Sequence, residues 1–217
     1  MAMLTSRLTV PYQFNRPLRS RGEELRRRTF DLLIAVVALV LALPLLIVIA
    51  VAIRIDSRGP ILFRQARGGI NGRPFRMYKF RTMTVTEDDG AIIQATRGDP
   101  RITQVGRRLR QTSLDELPQL LNVIRGEMSL VGPRPHALQH DIEFGKVVDG
   151  YALRSQVKPG ITGWAQIHGL RGGISTVEAI QRRVDLDNEY ITQRNLRLDM
   201  LILVLTLREV IRQTNAY

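Results

Sequence analysis

A chain of 217 residues carries a net charge of +12, from 32 Lys and Arg against 20 Asp and Glu, with 44% hydrophobic residues, 6% aromatics and no cysteine. That length holds one domain of roughly 150 to 180 residues plus one further segment, and the missing thiols exclude a disulfide framework or a thiolate metal site. The basic excess attracts acidic lipid headgroups or nucleotides, while sparse aromatics and the lack of zinc-finger spacing argue against nucleic acid as a partner.

Residues 1–24 form a basic N-terminal arm expected to be disordered, with no early apolar region or small-residue cleavage site of a signal peptide. The domain proper is expected over residues 25–217 and includes a membrane helix over 30–55. Its core is the 22-residue uncharged run Leu32 to Ile53, with Arg21, Arg26, Arg27 and Arg28 before it and Arg54, Arg58, Arg64 and Arg67 after it. At ~1.5 Å per residue such a helix matches a hydrocarbon core of about 30 Å. Leu43-Pro44 falls at its centre, where proline removes the bond to the Val40 carbonyl and favours a kink or break. Cationic flanks prefer the cytoplasmic side. Two basic ends around a broken middle suit a helix that enters the bilayer, bends and returns; a kinked spanning helix is the alternative.

Two short strands are expected at Ile61-Leu62-Phe63 and Phe75 to Phe80, joined by the turn Gly68-Gly69-Ile70-Asn71-Gly72. Thr84 to Pro100 reads as a polar loop and Ile102 to Gln111 as a basic helix. A helix from about Glu116 to Arg125 presents Leu117, Leu120, Leu121 and Ile124 on one face and stops at Gly126. Gly132-Pro133-Arg134-Pro135 and Lys158 to Trp164 read as rigid turns, and Ser175 to Arg194 as a charged helix. Met200 to Leu207 is too short to span, and packs on the domain or lies in the interface.

Ser113-Leu114-Asp115-Glu116-Leu117-Pro118 sets adjacent carboxylates at a helix start. A capping box accounts for Ser113 and Glu116, although capping at Asp115 places Pro118 better, within the first turn. A carboxylate there sits beside the positive end of the helix and a potential phosphate site. It can attack phosphorus while its neighbour holds a metal or moves a proton. Arg101, Arg107, Arg108, Arg110, Arg125 and Arg134 surround the pair in sequence, and Lys79 and Arg81 come from a strand end. Guanidinium forks suit phosphate oxygens, and flanking prolines restrict the Arg134 backbone. His136, His140 and His168 lack zinc-site spacing and read as structural or exposed; Trp164 suits the interface or the core equally.

Five ordered motifs carry a resemblance: Tyr78-Lys79-Phe80-Arg81-Thr82-Met83, Asp99-Pro100-Arg101-Ile102-Thr103, Ser113 to Leu120, Val131-Gly132-Pro133-Arg134-Pro135 and Lys158 to Gln166. Together they resemble the bacterial sugar transferases, monotopic polyprenyl-phosphate phosphoglycosyl transferases, over about Arg27 to Thr214. The resemblance implies an α+β, mostly helical fold: a small cytosolic catalytic domain with a proline-broken re-entrant membrane helix and interfacial helices. It implies transfer of a sugar 1-phosphate from a UDP-sugar to polyprenyl (undecaprenyl) phosphate with release of UMP, at the cytoplasmic face of a bacterial inner membrane. Anionic lipids are further partners, and a homo-oligomer is possible. Asp115 is matched to the family's nucleophile, and Asp115 and Glu116 to its Mg2+ site. Lys79, Arg110 and Arg134 match phosphate positions, with Arg81, Arg101 and Arg171 added to that set. Gly169-Leu170-Arg171 carries a leucine where relatives often have glycine directly before arginine. Larger members also carry an extra N-terminal membrane domain, so the chain corresponds to a short form or to the catalytic part of a long one. A polyanion-binding membrane protein and a glycosyltransferase releasing UDP are the alternatives, and the released nucleotide separates all three.

Overall fold

The computed structural model describes residues 20–84, 98–170 and 176–212. The arm before residue 20, most of the expected 84–100 loop and Arg171 lie outside the described residues.

Helix α1, Arg21–Asp56, is a single run of 36 residues, about 54 Å long at ~1.5 Å per residue. The Ser20 hydroxyl accepts from the Glu23 N–H at 3.3 Å, and Glu23 and Glu24 occupy the first turn, which favours the helix start. Residues 21–24 are therefore helical, although the sequence assigns them to the arm. Of the kink or break expected at Leu43-Pro44, a break is absent, since α1 stays helical through both residues. Proline removes one backbone bond, and Pro44 lies on the exposed side of the helix, where its ring displaces nothing in the core. The inward stripe of Ala35, Leu39, Leu46, Ile49 and Ile53 keeps helical phase on both sides of it. Elsewhere α1 presents exposed Leu33, Val37, Val40, Leu41, Leu43, Ile47, Val48 and Val51. A contiguous apolar surface of this kind marks an interaction face, and α1 is long and apolar enough to associate with a membrane.

Strands β1 (Leu62–Gly68) and β2 (Pro74–Phe80) form the expected hairpin, in antiparallel register from Leu62↔Phe80 to Gly68↔Pro74. Asn71, at φ 55°, turns the connection. The basic helix is α2, Gln104–Thr112, capped by the Thr103 hydroxyl on the Gly106 N–H at 2.9 Å. Gly106 is required by packing, since a Cβ there would stand 2.2 Å from the Thr82 carbonyl oxygen. The segment expected to be one helix from Glu116 is instead a 3-10 turn, Leu114–Gln119, leading into α3, Leu120–Arg125, which ends on left-handed Gly126.

Two strands missed by periodicity, β3 (Ser129–Val131) and β4 (Gly160–Thr162), pair in parallel. Their connection includes α4, Leu138–Val147, and a 3-10 turn, Tyr151–Gln156. The rigid turns therefore meet. A Cβ on Gly160 would lie 2.1 Å from the Gly132 nitrogen, so this backbone approach is open only to glycine. After the short α5 (Trp164–Ile167), α6 (Val177–Gln193) and α7 (Leu196–Arg212) complete the chain. The main core joins Phe75, Met77, Leu120, Val123, Met128 and Leu130 to Ala35 of α1 and Ile202 of α7, and Trp164 packs against it. α7 leaves Met200, Leu201, Val204 and Leu207 exposed.

Candidate active site

Asp115 and Glu116 are 9% and 8% exposed within the 3-10 turn after α2. Ser113 begins that turn in the left-handed region, at φ 59°, without capping it through its side chain. Such a backbone costs a non-glycine residue about 1–3 kcal/mol. The dyad is thus neither a capping box nor the first turn of an α-helix, and its setting comes from the cations around it.

Glu116 is clamped. Its Oε1 accepts from Lys79 Nζ at 2.9 Å and from Arg134 Nη2 at 2.6 Å, and its Oε2 accepts from Arg134 Nη1 at 3.2 Å. Burial opposes its charge, but the Arg134 and Lys79 cations and their hydrogen bonds hold its carboxyl well below the usual glutamate range. Lys79 is lowered, because burial outweighs the pull of Glu116.

Asp115 differs. Among the described residues its carboxylate makes no side-chain hydrogen bond, and burial, reinforced by Glu116, pushes it up to about 6 against the opposing charges of Lys79, Arg110 and Arg134. A buried carboxylate with an elevated pKa and uncommitted oxygens is a stronger base and nucleophile than a solvated one.

Lys79, Arg110 and Arg134 are therefore brought to the dyad, the three positions that the family resemblance implies. Arg81 is a correction. It is 3% exposed and donates to the carbonyls of Pro60 at 2.6 Å, Ser57 at 2.7 Å and Ile53 at 3.4 Å, and to the Ser57 hydroxyl at 2.9 Å. Its fork donates to carbonyls in and just after the last turn of α1, which ties β2 to that helix end rather than to the dyad. Arg101 pairs with Asp99 at 2.7 Å, and no contact ties it to the dyad among the described residues.

Two further features escaped the sequence reading, and a third gives His136 its structural setting. Arg67 shares with Lys79 one face of the hairpin, through Arg67↔Phe75 and Phe63↔Lys79. Burial and the Arg134 charge lower it to about 10. Strand parity counted back from Lys79 would have found it. Fully buried Asn122 accepts from the Tyr78 N–H at 3.0 Å and donates to the Arg76 carbonyl at 2.8 Å and Glu127 at 2.7 Å. It locks α3 to β2, and so fixes Lys79 relative to the dyad. His136 lies between Arg154 Nη1 at 3.1 Å and Arg183 Nη1 at 3.2 Å, with Tyr151 at 2.6 Å. Burial and the two guanidinium charges hold it well below the ordinary histidine range. Arg154 in turn donates to the Arg134 carbonyl at 2.6 Å, supporting the loop that carries the clamp.

Cations thus surround two buried carboxylates, on a domain whose long exposed apolar helix is fit to associate with a membrane. Sequence comparison supplies the family: residues 22–213 match the bacterial sugar transferases, and the chain belongs to that family. It is 48% identical over 193 residues to the UDP-glucose:undecaprenyl-phosphate glucose-1-phosphate transferase of Escherichia coli K12, covering 89% of the chain and 41% of that protein. It is 49% identical over 201 residues to the protein of the same name in Caulobacter vibrioides, covering 93% and 75%. It is likewise 49% identical over 206 residues to the undecaprenyl-phosphate glucose phosphotransferase of Komagataeibacter xylinus, covering 93% and 38%. The chain thus spans about two fifths of the first and third proteins and three quarters of the second.

Proposed function

We propose that this protein transfers glucose 1-phosphate from UDP-glucose to undecaprenyl phosphate, giving undecaprenyl diphosphate glucose and UMP, at the cytoplasmic face of the bacterial inner membrane. The reaction class rests on one observation: an uncommitted buried carboxylate, Asp115, lies beside Glu116, which Lys79 and Arg134 already neutralise. The choice of glucose and undecaprenyl phosphate follows the names of the relatives.

Asp115 Oδ attacks the sugar-bearing phosphorus of the donor. An aspartyl O–P bond forms, the P–O bond to the α-phosphate breaks, and UMP leaves with the electron pair. An oxygen of the acceptor phosphate then attacks the same phosphorus, and the aspartyl bond breaks to regenerate the carboxylate. Arg110 and Arg134 offset the charge that accumulates on the phosphoryl oxygens. The clamp on Glu116 keeps the neighbouring carboxylate neutralised, so that it does not repel the incoming diphosphate.

The donor set fits Mg2+ brought in with the substrate. Asp115 has free oxygens and Glu116 Oε2 keeps a lone pair, whereas no cluster of three carboxylate, histidine or cysteine groups occurs among the described residues. Magnesium is commonly held by one or two carboxylates plus substrate phosphates. Bound by Asp115 and Glu116, it would neutralise charge on the donor diphosphate.

The two ends of α1 support a re-entrant, same-side topology. Near the N-terminal end, Arg27 pairs with Asp199 at 2.8 Å and Asp31 accepts from Ser129 at 2.7 Å. At the other end, Arg81 holds Ser57, and Asp56 accepts from the Val105 N–H at 3.3 Å. A helix with both ends tied to one polar domain keeps that domain on one side of the bilayer. Nucleotide release across a panel of UDP-sugars, with undecaprenyl phosphate and Mg2+, tests the reading. UMP from UDP-glucose supports it, whereas UDP or no nucleotide overturns it.

A further inference from the structure

The cations around the dyad are matched unequally. Lys79 and Arg134 share Glu116, at 2.9 and 2.6 Å, and Arg154 pairs with Asp187 at 2.9 Å. Arg67 has no carboxylate within ion-pair distance among the described residues; Glu116 and Asp141 act on it only across space. Its Nη1 reaches the Pro135 carbonyl at a long 3.4 Å, and its Nη2 donates to Gln65 Oε1. The buried Nε has no acceptor among the described residues. Burial and the adjacent Arg134 charge both work against the ionised form of Arg67. A half-buried guanidinium held by neutral acceptors beside another cation costs stability, and an anion bound between the two forks offsets that cost.

The cations are also ordered along the site. Arg110 acts on Asp115, Lys79 and Arg134 meet at Glu116 beside it, and Arg67 stands next to Arg134 at the end away from Arg110. An isolated bridge from Arg67 to Ala137 fixes its backbone against the loop that carries Arg134. We propose that Arg67, together with Arg134, binds the donor phosphate that departs as UMP. This rests on the function proposed above and names a residue for its leaving group. In the first step Asp115 Oδ bonds to the sugar-bearing phosphorus at the Arg110 end, so the adjoining phosphate projects toward Arg134 and Arg67. The bond from the bridging oxygen to the sugar-bearing phosphorus breaks, and its electron pair passes to the departing UMP phosphate. Two guanidinium forks aimed at that phosphate stabilise the charge where it develops. Uncharged sugar and uridine hydroxyls gain little from a second fork, so the pair selects a phosphate.

The test uses the full chain in detergent, with UMP as the probe, in equilibrium dialysis and scanning fluorimetry. Arg67→Gln should weaken UMP binding about 10- to 100-fold, as for one charge-assisted bond. Arg67→Lys should restore only part of it, because the planar fork is lost. Without ligand, both variants should melt no more than about 2 °C below wild type, since the substitution at Arg67 removes no ion pair. The melting-temperature rise that UMP gives wild type should shrink in Arg67→Gln in step with the lost affinity. UMP binding within about threefold of wild type in Arg67→Gln, less than one such bond is worth, overturns the assignment. A lower melting point in both ligand-free variants also overturns it, because Arg67 would then be a brace for the Pro135 carbonyl. UMP release from UDP-glucose, measured on wild type alone, separates this from the reaction itself. Release with Arg67-independent UMP binding removes the seat and keeps the reaction, whereas Arg67-dependent binding without release keeps the seat and removes the reaction.

Discussion

Replacing Glu116 by glutamine separates the clamp from the nucleophile. The side chain keeps its shape but loses its charge, and its amide nitrogen turns a donor toward donors. Three charge-assisted bonds are affected, from Lys79 at 2.9 Å and from Arg134 at 2.6 and 3.2 Å. Such bonds are worth about 1.5–3 kcal/mol each, against about 0.5–1.5 for neutral ones. The loss is then about 3–5 kcal/mol, the range for breaking a buried ion pair. The Lys79 and Arg134 side chains are 19% and 23% exposed, so water recovers part of the loss and about 3 kcal/mol remains. For a domain of this size, ~2–4 °C of melting temperature per kcal/mol gives a drop of roughly 6–12 °C. Asp115→Asn is the contrast. It removes a poorly solvated charge that makes no side-chain hydrogen bond among the described residues, so thermal stability should hold or rise while turnover is abolished. Differential scanning fluorimetry in detergent reads both variants. A Glu116→Gln melting point within about 2 °C of wild type would refute the clamp as the source of this energy.

Arg134→Lys keeps the charge but loses the two-pronged grip, so kcat/KM for UDP-glucose should fall about 10- to 100-fold, as for one charge-assisted bond; steady-state kinetics check this. Arg81→Ala should act through the fold, releasing the end of α1 and lowering the melting temperature, whereas the fraction that stays folded should bind donor normally. The donor half-reaction should show an acid limb near pH 6, rising with pH, because burial raises Asp115 and only its ionised form attacks. The burial of neutral His136 has its own signature. Its folded pKa lies below the unfolded value of about 6.5, so the unfolded chain binds the proton first and stability falls with pH below that point, by up to about 1.4 kcal/mol per pH unit. His136→Gln should flatten that limb of a melting-temperature profile.

The residues that sequence reading placed correctly have local reasons for their positions. The β1–β2 hairpin follows from a glycine-rich turn, and α6 begins one residue after Thr176, whose hydroxyl accepts from the Ala179 N–H. Arg134 was legible because its two prolines fix the backbone before any tertiary contact forms. The misreadings are of non-local origin. Arg81 lies two residues beyond Lys79 and looks like its partner, yet it follows the end of β2 and turns to the carbonyls of α1, some 24 to 28 residues earlier in the chain. β3 and β4 have three residues each, too few to show a period, and they are set by the close approach of Gly132 and Gly160. Asn122 sits in an apolar helix pattern, and only the position of β2 reveals why a polar side chain is fully buried there.

The central claim is the covalent step at Asp115, and intact-protein mass after incubation with UDP-glucose and Mg2+, without lipid, tests it most directly. Wild type should gain one hexose phosphate, localised to Asp115 by peptide mapping and discharged by undecaprenyl phosphate. Asp115→Asn should gain nothing. An unmodified wild type, or an adduct that persists in Asp115→Asn, would contradict the account.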